Sequence, residues 1–211
     1  MTDRYRLATL LPMPWEKQFD KREVLDRAVR AFWAGGYEAT SMTELLEQMG
    51  IQKGSFYATF GCKRQVLLDG LHTYTAEHFA ALAALAREAS PRAALERHLV
   101  DVTASVTGPE GNLGCFLVNT ALELSSRDPE IQQIAQRTLA AHEGFYRDLL
   151  AAARERGEVP AELDPEATAR ALLALVLGMR VLGRSAAPSE VVESVRDQAL
   201  GLLGTRTQRP G

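Results

Sequence analysis

Residues 19–71 read FDKREVLDRAVRAFWAGGYEATSMTELLEQMGIQKGSFYATFGCKRQVLLDGL and contain three runs of apolar residues at helical spacing, each followed by glycine. At the start of the first run, Asp20 and Glu23 have the spacing of a capping box, in which each side chain satisfies an exposed amide of the helix N-terminus. Gly35 and Gly36 end this run, because glycine accepts the left-handed geometry of a helix C-terminus. We therefore expect a first helix between Asp20 and this glycine pair.

The second and third runs follow the same pattern over shorter lengths. Ser41 and Glu44 repeat the capping-box spacing, and Gly50 closes the second run. The third run covers about Lys53–Phe60 and ends at Gly61. Two short helices joined by a tight glycine turn are typical of a helix-turn-helix unit.

The remainder of the chain also has helical periodicity, and no run alternates between apolar and polar residues as a half-buried strand would. Asp128-Pro129 and Asp164-Pro165 each place a capping residue before a proline at the first position of a helix. Six further helices are expected near Lys63–Ser90, Pro91–Val106, Gly114–Ser125, Pro129–Arg156, Pro165–Gly183 and Pro188–Leu203. The predicted fold class is all-α with about nine helices, divided into a three-helix domain at residues 17–62 and a larger helical domain at residues 63–205.

Composition is that of an ordinary globular protein. The 211 residues are 46% hydrophobic and 24% charged, which supports a substantial core without disulfides or metal. Cys62 and Cys115 have no metal-type spacing, and neither do the four histidines, so we expect no metal and no cofactor. The net charge of −3 divides into +1 over Lys17–Gly70 and −4 from Leu71 onward, with the first 16 residues neutral. This mild asymmetry does not by itself indicate a nucleic-acid partner.

No segment indicates secretion or membrane insertion. The apolar stretch Leu7–Pro14 is short, is broken by prolines and lacks a small-residue cleavage site. The most apolar later stretch, Ala167–Leu182, carries Arg170 and Arg180 and is too short to span a bilayer comfortably. We expect a cytoplasmic protein without a membrane partner.

The predicted third helix has the features needed to enter the major groove of double-stranded DNA. Its N-terminal end, Lys53-Gly54-Ser55, is small and polar, which suits a helix end that must fit into the groove. Phe56 and Phe60, spaced i and i+4, can anchor the opposite side to the first two helices. The residues left facing outward are Gln52, Ser55, Tyr57, Ala58 and Thr59.

Residues 19–71 resemble the N-terminal domain of the TetR/AcrR-type transcriptional regulators. The resemblance rests on Gly36-Tyr37, on Thr40-Ser41 before the second helix, on the run Lys53–Phe60 and on Lys63. It implies a repressor that binds a near-palindromic operator through its N-terminal domain. It also implies that the larger domain binds an effector and dimerises.

The same resemblance assigns DNA roles to individual side chains. Hydroxyls at the N-terminus of the second helix would bind phosphate with the help of the helix dipole. Lys53 and Lys63 would hold phosphates, Tyr57 would contact a phosphate or sugar, and Gln52 can pair with adenine. Thr59 departs from the histidine that is frequent in the family, which makes the base contacts less sharply defined. The predicted contact residues are Thr40, Ser41, Thr43, Gln52, Lys53, Gly54, Ser55, Tyr57, Ala58, Thr59 and Lys63.

The last two predicted helices suggest a second copy of the chain as a partner. Ala167–Leu182 is apolar around most of its circumference, although a helix near the C-terminus of a domain this size should have an exposed side. Two such helices from each subunit would form a four-helix interface; burial within the monomer is the alternative. The predicted interface residues are Leu172, Leu175, Val176, Met179, Val191, Val192, Val195, Ala199 and Leu202.

Cys115 is the first candidate for sensing an effector. The segment Gly114–Ile131 resembles a subset of the family in which a cysteine begins the sixth helix, and some relatives use a cysteine here to sense electrophiles or oxidants. A thiol in the first turn of a helix lies near the positive end of the helix dipole, which favours the reactive thiolate; the alternative is a small buried apolar side chain. The effector, a small molecule or an electrophile, is not identified by the sequence. The other candidates to line its cavity are Phe79, Phe116, Phe145, Tyr146 and Met179.

Two other classes of protein compete with a regulator. An enzyme is disfavoured because the sequence has no glycine-rich phosphate loop, no serine elbow and no HExxH motif. A helical adaptor that does not bind DNA stays open, because Tyr57 can simply pack on a neighbouring helix and Lys63 can simply be solvated. In a regulator, the helix predicted at Lys63–Ser90 would couple the two domains, since it leaves the third helix directly and enters the larger domain.

Overall fold

The computed structural model describes residues 19–204, and this range is helical with no strand. Its nine α-helices are α1 (Lys21–Gly35), α2 (Met42–Met49), α3 (Lys53–Phe60), α4 (Lys63–Glu88), α5 (Pro91–Thr107), α6 (Phe116–Leu124), α7 (Pro129–Glu155), α8 (Pro165–Arg184) and α9 (Ser189–Gly201), and a 3-10 helix lies at Gly111–Leu113. The all-α fold class is confirmed, with the helix ends within about two residues of the predicted ones. None of the helices in the described range is long and apolar enough to cross a membrane.

Side-chain caps start four of the helices at the predicted positions. The carboxylate of Asp20 accepts from the amide two residues further on at 2.7 Å, and the hydroxyl of Ser41 accepts from the amide three residues further on at 3.1 Å. Asp128 and Asp164 cap α7 and α8 in the same way, each followed by proline. Each such cap contributes about 1 kcal/mol to helix stability. The sequence signals for these helix starts are therefore confirmed.

The helices pack around two hydrophobic cores. The first core joins α1, α2 and α3 to α4, α6 and the start of α7, and its fully buried side chains include Leu45, Phe56, Leu67 and Ile131. The second core joins α5, the later part of α7, α8 and α9. The three N-terminal helices are therefore packed on the helices that follow them, rather than forming a separate globule.

The contact between α1 and α4 is especially close at Gly70. A Cβ atom at this position would lie 2.6 Å from Cγ2 of Val29, a distance that real side chains essentially never adopt. The first core thus crosses the predicted domain boundary at residues 62 and 63. The division into 17–62 and 63–205 stays a prediction, and residues 1–18 and 205–211 lie outside the described range.

Candidate nucleic-acid interface and internal cavity

The third helix, α3, is anchored by its aromatic side. Phe56 and Phe60 are 0% and 3% exposed, and their ring centroids lie 5.9 Å apart. On the outer side, a Cβ atom at Gly54 would meet nothing within 4 Å, so the N-terminal end of α3 is slim and open. The predicted reading residues divide into exposed ones, Gln52, Lys53, Gly54, Tyr57 and Ala58, and half-buried ones, Ser55 and Thr59.

Gly50 sets the angle between α2 and α3. Its φ of 68° lies in the left-handed region that glycine adopts readily, and its N–H donates to the carbonyl of Leu46 at 2.9 Å. From α1, Nη1 of Arg27 donates to the carbonyl of Met49 at 3.1 Å, which satisfies an acceptor at the end of α2. The turn and the arginine together fix α3 relative to the two helices before it.

Two of the three hydroxyls predicted to bind phosphate are available at the N-terminus of α2. Ser41 and Thr43 are exposed. Thr40 is 1% exposed, and its hydroxyl donates to the carbonyl of Gly36 at 2.6 Å. Thr40 is therefore removed from the predicted phosphate contacts, because its hydroxyl closes the loop between α1 and α2 and does not face solvent.

Lys63, which is also predicted to hold a phosphate, already has a hydrogen-bond partner within the protein. Its Nζ lies 2.5 Å from the carbonyl oxygen of Tyr37 and 4.3 Å from the centre of the Tyr37 ring. Burial lowers the pKa of Lys63 below its usual value. The ammonium has further N–H donors, so a phosphate contact stays a prediction, but the visible role of Lys63 is to tie α4 to the loop between α1 and α2.

Glu123, near the end of α6, holds the same loop from another side. Its carboxylate oxygens accept from the backbone amides of Tyr37 and Glu38 at 3.0 and 2.7 Å. We call this pair of hydrogen bonds the Glu123 clasp. Nearby, the guanidinium of Arg64 donates to both carboxylate oxygens of Asp128 at 2.9 and 3.0 Å, which joins the start of α4 to the start of α7. Polar contacts thus fasten the larger domain to the backbone that leads into α2.

A cavity of about 30 Å³ lies among α4, α6, α7 and α8. Cys115, the residue directly before α6, lines it, and its Sγ lies 3.6 Å from the phenolic oxygen of Tyr74. The apolar wall is formed by Leu117, Val118, Leu139, Val176 and Leu177, and the polar side chains are those of Tyr74, Thr75, His78, Cys115, Thr138, His142 and Arg180.

Tyr74 connects this cavity to α1. Its ring lies 5.3 Å from that of Trp33 in edge-to-face orientation and 5.7 Å from that of Phe116, and the Trp33 and Phe116 centroids are 5.9 Å apart. We call these three rings the aromatic cluster. Burial raises the pKa of Tyr74, and the Cys115 thiol acts in the same direction. The residue beside Cys115 is thus in direct contact with a helix of the helix-turn-helix unit.

Of the six residues predicted to line an effector cavity, only Cys115 does so. Phe116 packs in the aromatic cluster, and Met179 is 0% exposed in the second core, where Thr103 donates to its sulfur at 3.9 Å. Tyr146 is 1% exposed. The prediction is corrected for the five residues that pack outside the cavity, Phe79, Phe116, Phe145, Tyr146 and Met179.

Several cavity residues were missed by sequence reasoning. Tyr74 and His78 lie one turn apart on α4, and Arg180 interrupts the otherwise apolar α8. A charged residue inside an apolar helix was a usable signal, because such a residue needs a polar neighbour or access to solvent. His142 carried no signal of this kind, since its contacts depend on how α7 packs against α4.

Most of the residues predicted for a dimer interface face the core of their own chain. Val191 and Leu202 are 43% and 40% exposed, and Leu175 and Val195 are half-buried. The prediction is corrected for the others because α8 packs its apolar side on α7 and α9 packs its own on α5 and α8. These residues, all at most 1% exposed, are Leu172, Val176, Met179, Val192 and Ala199.

An exposed helix-turn-helix fixed to a larger helical domain defines a class of protein, the helix-turn-helix regulators. Two family models match the chain: "Bacterial regulatory proteins, tetR family" over residues 24–69, and "Tetracyclin repressor-like, C-terminal domain" over residues 91–199. The chain therefore belongs to the TetR family. It is a transcriptional regulator and not an enzyme.

Individual relatives agree with this assignment. The chain is 30% identical over 190 residues to the transcriptional repressor ComR of Escherichia coli, covering 88% of this chain and 90% of ComR. It is 30% identical over 169 residues to the transcriptional regulator TtgR of Pseudomonas putida, covering 78% and 80% of the two chains. Among solved structures, a cysteine mutant of the TetR-family regulator CifR in complex with a 26 bp operator DNA has a TM-score of 0.78 at 26% identity, covering 87% of this chain and 97% of CifR. Reduced NemR of Escherichia coli, at 19% identity and a TM-score of 0.77 over 89% of this chain and 98% of NemR, shows the shared fold.

Replacing Glu123 with alanine should loosen the loop that leads into α2. Both amides of the Glu123 clasp lose a charge-assisted acceptor, so hydrogen exchange at Tyr37 and Glu38 should accelerate about 10-fold or more, as measured by NMR. The matched control is Glu110→Ala, which removes an exposed ion pair with Arg30 and no contact to an amide. Unchanged exchange at both amides in Glu123→Ala would show that the clasp does not hold the loop.

Proposed function

We propose that this protein is a homodimeric repressor that binds a near-palindromic operator and releases it when an effector acts on the larger domain. The proposed DNA binding rests on the shape and exposure of α3. Its aromatic side is buried, its N-terminal end is slim, and Gln52, Lys53 and Tyr57 project from it into solvent. A helix of this shape fits the major groove with its first residues towards the base edges.

The N-terminus of α2 supplies a second contact surface. Ser41 and Thr43 are exposed there, and the first amides of a helix favour an anion. Phosphate bound at this point would set the orientation of α3, whereas Gln52 and Ser55 would read bases. The operator-bound CifR structure and the repressor ComR support this proposal by similarity.

Substitutions on α3 should separate phosphate contacts from base contacts. Lys53→Ala should weaken binding about equally for all sequences and reduce the slope of log affinity against log salt by about 1. Gln52→Ala or Ser55→Ala should instead change which bases are preferred within the site. Fluorescence anisotropy with an operator selected from genomic DNA measures both effects.

Arg137→Ala is the control for these variants, because Arg137 is an exposed cation on α7, outside the helix-turn-helix unit. It should leave the affinity and the salt slope unchanged. If Lys53→Ala, Gln52→Ala and Ser55→Ala all bound like the parent, α3 would not be the reading helix. If the parent showed no salt-dependent binding to any DNA, a helical adaptor would be the better assignment.

The dimer is proposed to form through the outer sides of α8 and α9. On α9, Val191, Val195 and Leu202 lie on one side, and two of the three are at least 40% exposed. On α8, Val181 is 53% exposed, and a Cβ atom at Gly178 would meet nothing within 4 Å. Apolar and small residues on the free sides of two adjacent helices suit a four-helix interface, and a two-fold axis would present two copies of α3 to successive major grooves.

Val191→Glu and Leu202→Glu should each give monomers. Both side chains are exposed in the protomer, so a carboxylate there does not disturb the chain's own core but would be buried without a partner in the dimer. Light scattering at micromolar concentration measures the mass. Leu122→Glu is the control, since Leu122 is 79% exposed on α6 and should leave the dimer intact. A monomeric parent protein would contradict the proposed assembly.

The switch is proposed to run from Cys115 through Tyr74 to Trp33. The cavity beside Cys115 has a volume of about 30 Å³, room for a water molecule but not for an organic adduct. An electrophile bonded to Sγ must therefore displace a neighbour, and Tyr74 is 3.6 Å away. Because the ring of Tyr74 packs on Trp33 of α1, its displacement would shift α1 and change the separation of the two DNA-reading heads.

N-ethylmaleimide tests this switch directly. The Cys115 thiolate would add to the carbon–carbon double bond to form a thioether, with a proton taken up from water at the other carbon. Parent protein should then lose operator affinity by about 5- to 150-fold, the range of typical allosteric coupling. Cys115→Ser should keep its affinity after the same treatment.

Cys62→Ser is a second variant needed for this experiment. Cys62 is exposed directly after α3, so its modification would disturb DNA binding directly and not through the larger domain. Cys62→Ser should still respond to the electrophile. If Cys115→Ser released the operator as fully as the parent, Cys115 would not be the sensor and a noncovalent effector would be favoured.

A further inference from the structure

A group of polar rings meets in the middle of the larger domain. His78 on α4, His98 on α5 and His142 on α7 lie with ring centroids 4.8 to 6.3 Å apart, and the ring of Tyr146 lies 4.6 Å from that of His142. Three helices thus contribute polar side chains to one interior point. We call these four residues the ring group.

Polar atoms of the ring group are buried without partners. His98 and His142 are each 7% exposed and Tyr146 is 1% exposed. Nε2 of both histidines and the hydroxyl of Tyr146 have no hydrogen-bond partner among the described residues. Burying such atoms unpaired is costly, and in native proteins nearly all of them are paired with protein, ordered water or a bound group.

Arg180 on α8 adds a positive charge to the same place. Its guanidinium makes no hydrogen bond or ion pair within the described part of the chain, although Glu88 and Asp101 line the outer groove that Arg180 also lines. Burial lowers the pKa of His78 to about 4 and that of His98 to about 3, and the charge of Arg180 acts in the same direction. The imidazoles are therefore neutral near pH 7, and no carboxylate of the described residues lies within ion-pair distance of Arg180.

Arg180 and His78 stand between two spaces. On one side is the 30 Å³ cavity that contains Cys115, and on the other is a groove of about 360 Å³ between α4 and α5. Both residues line both spaces. A volume of 360 Å³ is in the range of small-molecule sites, whereas the inner cavity is not. The groove is therefore the entrance, and the arginine and histidine form the partition behind it.

We propose that Arg180, together with the three histidines of the ring group, binds the carboxylate of a small organic acid, whose apolar part lies in the outer groove against Leu82, Leu85 and Val102. This rests on the proposed sensing role of the larger domain and names the chemical class of its effector. A carboxylate matches the planar fork of a guanidinium, and the N–H groups of neutral imidazoles can donate to its remaining acceptor sites. A metal ion is disfavoured, because no group of three or more His, Cys, Asp or Glu in the described range is arranged to hold one, and Arg180 would repel it.

The bound acid would act on both connections to α1. His78 lies one turn after Tyr74 on α4, and Tyr74 packs on Trp33. Arg184 lies one turn after Arg180 on α8 and donates to the carbonyl of Trp33 at 3.2 Å. A ligand that draws Arg180 and His78 together would therefore move α8 and α4, the two helices that contact the end of α1.

Paired probes of equal shape test the proposal: benzoate against benzamide, and hexanoate against hexanamide. With wild-type protein, the Cε1–H resonances of the ring-group histidines should shift with the acids and not with the amides, as measured by NMR. His72, exposed on α4, serves as an internal control that should not move. Equal shifts with acid and amide, no shift up to the solubility limit of the acids, or shifts produced by Zn²⁺ alone would each overturn the proposal.

Arg180→Met should weaken acid binding by about 10-fold or more in calorimetry, since it removes the charged partner but keeps an apolar side chain of similar length. Arg97→Met is the control, because Arg97 lines the outer groove, is exposed, and should bind the acid like wild type. Should Arg180→Met fail to fold, Arg180→Lys replaces it and should show intermediate affinity. Wild-type affinity in the Arg180 variant would overturn the assignment.

Operator binding measured on the same samples separates this proposal from the proposed function. An intact operator complex with no acid bound overturns the carboxylate site alone. Acid binding to the ring group without operator binding supports the site and counts against the repressor. Acid that binds and releases the operator supports both.

Discussion

The contact of Trp33 with Tyr74 and Phe116 is the interaction on which the rest of the structure depends. The three rings come from α1, α4 and α6, so this cluster ties the helix-turn-helix unit to the domain behind it as part of the first hydrophobic core. Edge-to-face aromatic pairs contribute about 0.5–1.5 kcal/mol each beyond the area they bury, and they prefer defined angles. A cluster of this kind fixes orientation as well as proximity, which a device that must place a helix in a DNA groove requires.

Beside this cluster and the rest of the first hydrophobic core, polar contacts to backbone also join the two parts. The Glu123 clasp binds the loop before α2, Lys63 binds the Tyr37 carbonyl and Arg184 binds the carbonyls that end α1. Such contacts have direction and few alternatives, unlike the packing of apolar side chains. Under the proposed switch, a small movement of α4, α6 or α8 would reach the helix-turn-helix unit through these backbone contacts, while the buried anchors of α3 would keep the unit itself together.

Sequence reasoning predicted the helices well because their signals are local. Capping residues, glycines and apolar spacing at residues such as Asp20, Ser41 and Gly50 determine where a helix starts and stops, and the family pattern between residues 19 and 71 identified the helix-turn-helix. The sites were harder because they depend on partners distant in sequence. Thr40 is a plausible phosphate ligand by type, yet its hydroxyl is used by Gly36. Val176 has the pattern of an interface residue, yet its side faces the cavity and core, since periodicity shows that a side is apolar but not what covers it.

The polar interior of the larger domain lies between the inner cavity and the outer groove. A fully apolar core there would be more stable, because unpaired polar atoms such as Nε2 of His142 are costly to bury. If such polar groups gain hydrogen bonds when a ligand binds, the ligand-bound conformation becomes more stable relative to the unbound one. A ligand can shift a conformational equilibrium only through a difference of this kind. On α4 and on α8, the residues proposed to bind the acid, His78 and Arg180, lie one helical turn from the residues that contact α1, Tyr74 and Arg184. Under the proposal, binding would therefore be coupled to α1 through one turn of each helix.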